Sequence, residues 1–149
     1  MAGNVHGTAI VIGTTGFLFV GPSGSGKSSM ALDCIMGAER SGLFAALVSD
    51  DQVLVSKAGG HLVARAPASI KGLIEIRGTG IVRLNTLDAA VLQYAILPLS
   101  PPFAERVPPE NEIWEMADGQ YLPLIRLALA AKLTVFDRLK AVLPAIGAV

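Results

Sequence analysis

A chain of 149 residues with 52% apolar and 16% charged side chains has the length for one compact domain, residues 1–149, and too apolar a composition for intrinsic disorder. Twelve basic residues balance twelve acidic ones, with no run of Lys or Arg, which excludes the electrostatic footprint of a protein that coats nucleic acid or an anionic membrane. Ordinary globular chains carry about 25% charged residues, so this surface is short of charge and is expected to bury part of itself in a homo-oligomer.

The apolar stretch from Thr8 to Val20 has no basic residue ahead of it, and Gly13-Thr14-Thr15-Gly16 splits it. It therefore reads as core rather than as a signal peptide, and no other stretch approaches the roughly 18 apolar residues of a membrane helix. Cys34, the lone cysteine, permits no internal disulfide, and a soluble cytoplasmic protein is expected.

Val5 to Ile12 and Phe17 to Val20 are β-branched and aromatic, which predicts two strands joined by a tight turn. After Lys27, apolar residues at helical spacing predict a helix of about three turns over 28–36, with Gly37 and Gly42 as stop signals. Leu43 to Val48 is a continuous apolar run ending at Ser49-Asp50-Asp51, the pattern of a buried strand, so strand, helix and strand suggest a parallel pair. Gln52 to Val55 and His61 to Arg65 predict a hairpin through Gly59 and Gly60. Ile70 to Arg77 alternates Ile74 and Ile76 with Glu75 and Arg77, placing acid and base on one strand face. Ala89 to Leu99 predicts another buried strand, followed by a proline-rich loop to Pro109. Asp118-Gly119 marks a hairpin between Glu112–Ala117 and Gln120–Leu124, and Leu133, Phe136, Leu139 and Leu143 predict an amphipathic helix from about Leu127 to Leu143. Trp114, Phe17, Phe19, Phe103 and Phe136 are assigned to core or interface filling.

Gly21-Pro22-Ser23-Gly24-Ser25-Gly26-Lys27-Ser28, continuing to Ser29, satisfies the GxxxxGK(S/T) pattern between an apolar strand and a helix. In that setting backbone N–H groups turn inward around phosphates, and the helix dipole adds positive potential. Lys27 would neutralise the β and γ phosphates, and Ser28 would offer its hydroxyl to Mg²⁺. Switches, motors and kinases share such a loop, so the acids must decide the reaction. Asp50 and Asp51 follow the next buried run; one of the pair would face an incoming hydroxyl as a base, while the other orients it or binds metal. Glu75 and Arg77 read either as a structural ion pair or as a metal-binding acid with a cation that stabilises a phosphoryl group in transfer. His6, as a lone histidine at the start of the first strand, is more often incidental than catalytic.

His6-Gly7, the glycine loop, the Asp50-Asp51 pair and Leu73-Ile74-Glu75-Ile76-Arg77-Gly78-Thr79-Gly80-Ile81, in this order, resemble the catalytic domain of HPr kinase/phosphorylase. That bacterial enzyme phosphorylates a seryl hydroxyl on the phosphocarrier protein HPr. The likeness covers roughly residues 5 to 85, and the Glu-Ile-Arg-Gly-x-Gly-Ile segment is its most diagnostic part. The resemblance implies an α/β fold with a mixed sheet and flanking helices, akin to phosphoenolpyruvate carboxykinase, and a hexamer. It also implies that His6 is catalytic, that Lys27 contacts phosphates, that Ser28 and Glu75 bind Mg²⁺, and that Asp51 takes the seryl proton and returns it in reverse. The chain starts almost at the His-Gly motif, which suggests the short proteobacterial form without the N-terminal domain. Beyond residue 85 the likeness fades: a further catalytic arginine has no assigned position, and the motif linked to dephosphorylation has no clear counterpart near Pro123 and Arg126.

The expectation is an ATP- and Mg²⁺-dependent serine kinase acting on an HPr-like phosphocarrier. The competing readings are a small-molecule kinase and a non-catalytic nucleotide-dependent regulator.

Overall fold

The computed structural model describes residues 2–102, 107–129 and 133–145. The chain opens with β1 (Ala2–His6), β2 (Thr8–Ile12) and β3 (Thr15–Phe19), followed by helix α1 (Lys27–Arg40), β4 (Ala45–Ser49), β5 (Gln52–Ala58) and β6 (His61–Arg65). A 3-10 turn at Ala68–Ile70 leads to β7 (Leu73–Ile76) and β8 (Gly80–Arg83). Then come β9 (Ala89–Leu99), β10 (Ile113–Glu115), β11 (Tyr121–Ala128) and helix α2 (Val135–Val142).

Among the described residues nine strands share one mixed sheet, ordered β1-β5-β6-β9-β3-β2-β4, while β7 and β8 form a separate ribbon. Strand β9 is long enough to serve three neighbours. One side runs parallel to β3, and the other meets β6 antiparallel at Ala89–Leu92 and β11 parallel at Ala95–Leu99. Strand β10 pairs outside β11.

Both faces of the central strands are covered, which is why their sequences are continuous apolar runs rather than alternating ones. Ile10 and Ile12 of β2 and Phe17 and Phe19 of β3 point into one core with Met30, Cys34 and Ile35 of α1, Phe136 and Leu139 of α2, and Ile74 of the ribbon. Their neighbours Ala9, Val11, Leu18 and Val20 point into a second core, closed by Val53, Val55, Leu62, Ala64 and Leu122 from the curled sheet. Burial also drives the Cys34 thiol well above its ordinary pKa, so this cysteine is an inert core side chain.

The predicted mixed α/β architecture agrees with this fold, while several boundaries and pairings differ for identifiable reasons. The strand predicted over Val5–Ile12 is broken at Gly7, where a Cβ would lie 2.5 Å from the Phe19 carbonyl oxygen. The break sends β1 to pair with β5 while β2 pairs with β3 and β4. The strands flanking α1 do not pair directly: β2 lies between β3 and β4, antiparallel to both.

Helix α1 continues through the predicted stop at Gly37 to Arg40. Gly37 is not a terminator but a contact point, since a Cβ there would meet Phe136 at 2.6 Å. The helix ends where Gly42, at φ 79°, takes the left-handed conformation.

The strand predicted over Ile70–Arg77 is limited to Leu73–Ile76, with Ala68–Ile70 in the 3-10 turn. The C-terminal helix begins only at Val135, because Leu127 and Ala128 are drawn into β11 by pairing with β9. Thr134 caps it, its Oγ1 accepting from the Asp137 N–H at 3.1 Å, and Asp33 of α1 accepts the Phe136 N–H at 3.1 Å. Phe17, Phe19 and Phe136 are core side chains and Trp114 packs against the second core; Phe103 lies outside the described residues.

Candidate active site

The loop between β3 and α1 turns on glycines in the left-handed region, with Gly21, Gly24 and Gly26 at φ 128°, 78° and 97°. Gly26 caps α1 without a side-chain bond, and the first turn of the helix carries no acid. That leaves the positive end of the helix open to an anion.

Lys27 is 7% exposed, and its Nζ donates to the carbonyls of Gly21 at 2.9 Å and Pro22 at 2.8 Å. Burial lowers the Lys27 pKa below the ordinary lysine value, while the charges of Asp51 and Asp50 pull it back up. An ammonium that is costly to desolvate yet held at the loop by two carbonyls is poised to gain from an incoming polyanion.

The two adjacent acids have opposite environments. Asp50 is 6% exposed. Its Oδ1 accepts from Thr8 Oγ1 at 2.8 Å and Ser28 Oγ at 2.6 Å, and its Oδ2 accepts from the Glu75 backbone N–H at 3.2 Å. The Asp51 side chain is 71% exposed and meets His6 Nε2 at 3.1 Å. A carboxylate accepts only, so Nε2 is the donor in this contact. Asp51 sits at φ 70°, a conformation uncommon for a residue with a side chain, and its carbonyl accepts the Gly7 N–H at 3.1 Å. The break at Gly7 and the turn at Asp51 thus hold each other, and they bring His6 to the second acid.

These groups surround a cleft of about 380 Å³ lined by His6, Lys27, Ser28, Asp50, Asp51, Glu75 and Arg77, with Ser23, Gly24, Gly26 and Ser29 of the loop. Gly21, Pro22 and Ser25 do not line it: the first two turn their carbonyls to Lys27, and the Ser25 N–H closes a turn onto the Pro22 carbonyl at 3.2 Å. Glu75 and Arg77 both line the cleft although Arg77 lies just beyond β7. Among the described residues they form no ion pair with each other. Instead the Arg77 guanidinium reaches the glycine loop, where a Cβ on Gly24 would lie 3.9 Å from its Nη1.

Sequence reasoning missed four lining residues: Thr8, Ile70, Leu73 and Ile81. Thr8 had a usable signal, a hydroxyl at the head of a buried apolar run directly after His-Gly. Leu73 and Ile81 belong to the segment that carries the family resemblance but had no role assigned, and Ile70 had no signal, because nothing local marks which apolar residues a ribbon turns toward a cleft. Pro123 and Arg126 lie on β11 and are not among the lining residues; the Arg126 guanidinium grips Glu112 through Nε to Oε1 at 2.8 Å and Nη2 to Oε2 at 2.9 Å.

Ser28, Asp50 and Glu75 form an all-oxygen donor set that suits a hard cation such as Mg²⁺. Among the described residues no three His, Cys, Asp or Glu side chains cluster to hold a metal by themselves. A cation at this place would draw its other ligands from phosphate and water, as Mg²⁺ commonly does.

The model of the HPr Serine kinase C-terminal domain family matches residues 1–91. The chain belongs to this family. The HPr kinase/phosphorylase of Mycoplasmopsis pulmonis is 42% identical over 78 residues, covering 52% of this chain and 23% of that protein. The HPr kinase/phosphorylase of Clostridium botulinum is 31% identical over 134 residues, covering 88% of this chain and 41% of that protein. The chain therefore spans less than half the length of the relatives it matches.

A solved structure of the Hpr(Ser) kinase/phosphatase from Coxiella burnetii shares the fold with a TM-score of 0.76, over 95% of this chain and 88% of that one, at 20% identity. The expected fading of the likeness after residue 85 fits the family match, which ends at residue 91; the alignment to the Clostridium botulinum relative and the fold both extend beyond it. Among the described residues no helix is long and apolar enough to cross a membrane.

Proposed function

We propose that this member of the HPr serine kinase family transfers the γ-phosphoryl group of ATP to a seryl hydroxyl of an HPr-like phosphocarrier protein. The observation that carries the reading is the division of labour between Asp50 and Asp51. The buried member accepts from Thr8, Ser28 and the Glu75 backbone N–H, while the exposed member faces the cleft with His6 at 3.1 Å.

The in-line transfer asks little covalent chemistry of the protein beyond positioning and charge. The glycine loop from Gly21 to Ser29 wraps the phosphates, and Lys27 places its charge beside them. Ser28 and Glu75, beside Asp50, would hold Mg²⁺, which would supply positive charge to the phosphate oxygens. Asp51 accepts the proton of the seryl hydroxyl as its oxygen bonds to the γ-phosphorus, and the bond to the ADP oxygen breaks. His6 holds the Asp51 carboxylate toward the cleft, and Arg77, at the loop, balances charge on the group in transfer.

An acceptor carboxylate this exposed suits a serine carried on another protein's surface better than a metabolite enclosed in a pocket. Exposed Met36, Phe44 and Val142 support assembly of copies, for which sedimentation is the check.

The test is mass spectrometry of an HPr-family phosphocarrier after incubation with the protein, ATP and Mg²⁺, then with excess inorganic phosphate. One added phosphate on serine is the expected result, and its removal by inorganic phosphate would add the reverse reaction. No transfer from a nucleotide-bound protein would overturn the reading.

A further inference from the structure

Thr8 is a fully buried polar side chain at the head of β2, among apolar neighbours. Its hydroxyl is satisfied by one side chain, donating to Asp50 Oδ1 at 2.8 Å. The same oxygen accepts Ser28 Oγ at 2.6 Å, and the other carboxylate oxygen accepts the Glu75 N–H at 3.2 Å. These three donors come from β2, α1 and β7, so Asp50 ties together the strand, the helix and the ribbon that form the cleft.

An aspartate carboxylate rotates over a broad, roughly two-fold torsional well. Thr8 narrows it by adding a third donor, on the same oxygen that accepts Ser28, to the longer contact from the Glu75 N–H. Its β-branched side chain has restricted rotamers, and its backbone is paired to Phe19 of β3, next to Ala9, which pairs with both β3 and β4.

We propose that Thr8 is a positioning residue for the binding of a divalent cation with a nucleoside di- or triphosphate. Its hydroxyl fixes the plane of the Asp50 carboxylate, and Asp50 in turn holds the proton of Ser28, so that the lone pairs of the serine oxygen are presented to the cation. The inference rests on the reading of Ser28 as a cation ligand, but not on the identity of the phosphoryl acceptor.

The experiment is calorimetric titration of the full chain with ADP, in the presence of Mg²⁺ and again in EDTA, with no acceptor protein. Thr8→Val keeps the shape and removes the donor; it is expected to weaken Mg²⁺·ADP binding about tenfold, the lower end for loss of a group that orients a metal ligand, and to leave ADP binding in EDTA unchanged. Thr8→Ser keeps the donor and is expected to bind within about twofold of the wild type, well inside that tenfold effect. Wild-type Mg²⁺·ADP affinity in a folded Thr8→Val protein would overturn the proposal, as would an equal loss in EDTA. A tenfold loss in Thr8→Ser would overturn it even where Thr8→Val fails to fold. Failure of seryl transfer, by contrast, would remove the proposed kinase activity and leave these titrations standing.

Discussion

Among the described residues, every one that lines the cleft lies between His6 and Ile81, and none comes from the part of the chain beyond Ala89. Yet that second part is not an appendage, because β9 runs between β3 and β6 in the middle of the sheet, and α2 packs Phe136 against Gly37 of α1. In the proposed reaction the first part holds the atoms that must stand at given distances from phosphate, cation and hydroxyl. The second supplies apolar volume that other side chains of similar size can replace. The family match ends at residue 91, whereas the alignment to one relative runs over 134 residues and the shared fold covers 95% of the chain. Chemistry constrains residue identity, whereas packing constrains mostly size and hydrophobicity.

The comparison breaks if damage to the two regions has the same consequences. The largest effect is expected from Lys27→Ala, with kcat for transfer lowered on the order of 10³-fold and the melting temperature little changed. Burial disfavours the charged form of Lys27, so nucleotide affinity in the wild type should weaken as pH rises, with the loss of the ammonium setting in before the ordinary lysine value of 10.5 is reached. Full activity of the alanine variant in phosphotransfer assays would remove the loop from the mechanism.

Phe136→Ala is the converse. It empties a buried site in contact with α1 and should cost about 3 kcal/mol in urea unfolding, while the fraction that stays folded retains its Mg²⁺·ADP affinity. Loss of binding without loss of stability would mean that the second region reaches the site.

Asp51→Asn sharpens the comparison within the first region. It should lower transfer on the order of 10²-fold and leave Mg²⁺·ADP binding intact, whereas Asp50→Asn should impair binding itself. The reverse pattern would exchange the roles of the two acids.

The smallest effect belongs to Asp88, which lies on the surface between the two regions. Its hydrogen bond and charge attraction to Lys71 hold its pKa below the ordinary 3.8. The stabilisation this implies is present above 3.8 and fades as pH falls through the lower folded-state value. Both side chains are exposed, so solvent and salt screen the pair. Asp88→Asn should therefore leave the neutral-pH melting temperature almost unchanged and alter only the acid limb. A large loss at neutral pH would show that the surface link couples the regions.

The glycine loop, the helix after it and the paired acids were legible because each depends on contiguous residues. Gly21 to Ser28 carry loop geometry and phosphate chemistry within eight positions, and the run into Asp50-Asp51 marks a strand end. Less legible was everything set by pairing across the chain. The break at Gly7 is imposed by the Phe19 carbonyl, and the start of α2 was displaced because β9 captured Leu127 and Ala128. Gly37 looked like a stop signal because the aromatic ring that requires a glycine there lies 99 residues away, at Phe136.

The sequence by itself determined that a phosphate loop, two adjacent acids and a Glu-Ile-Arg-Gly segment occur in this order, because local spacing and residue chemistry are properties of the chain alone. Only the tertiary structure sets the two acids apart. Asp50 and Asp51 are chemically identical neighbours, and what separates them is that one meets Thr8, Ser28 and the Glu75 backbone in the interior while the other turns out to His6 and solvent. Burial and hydrogen-bond donors are supplied by residues 22 to 45 positions away, and no local pattern encodes them.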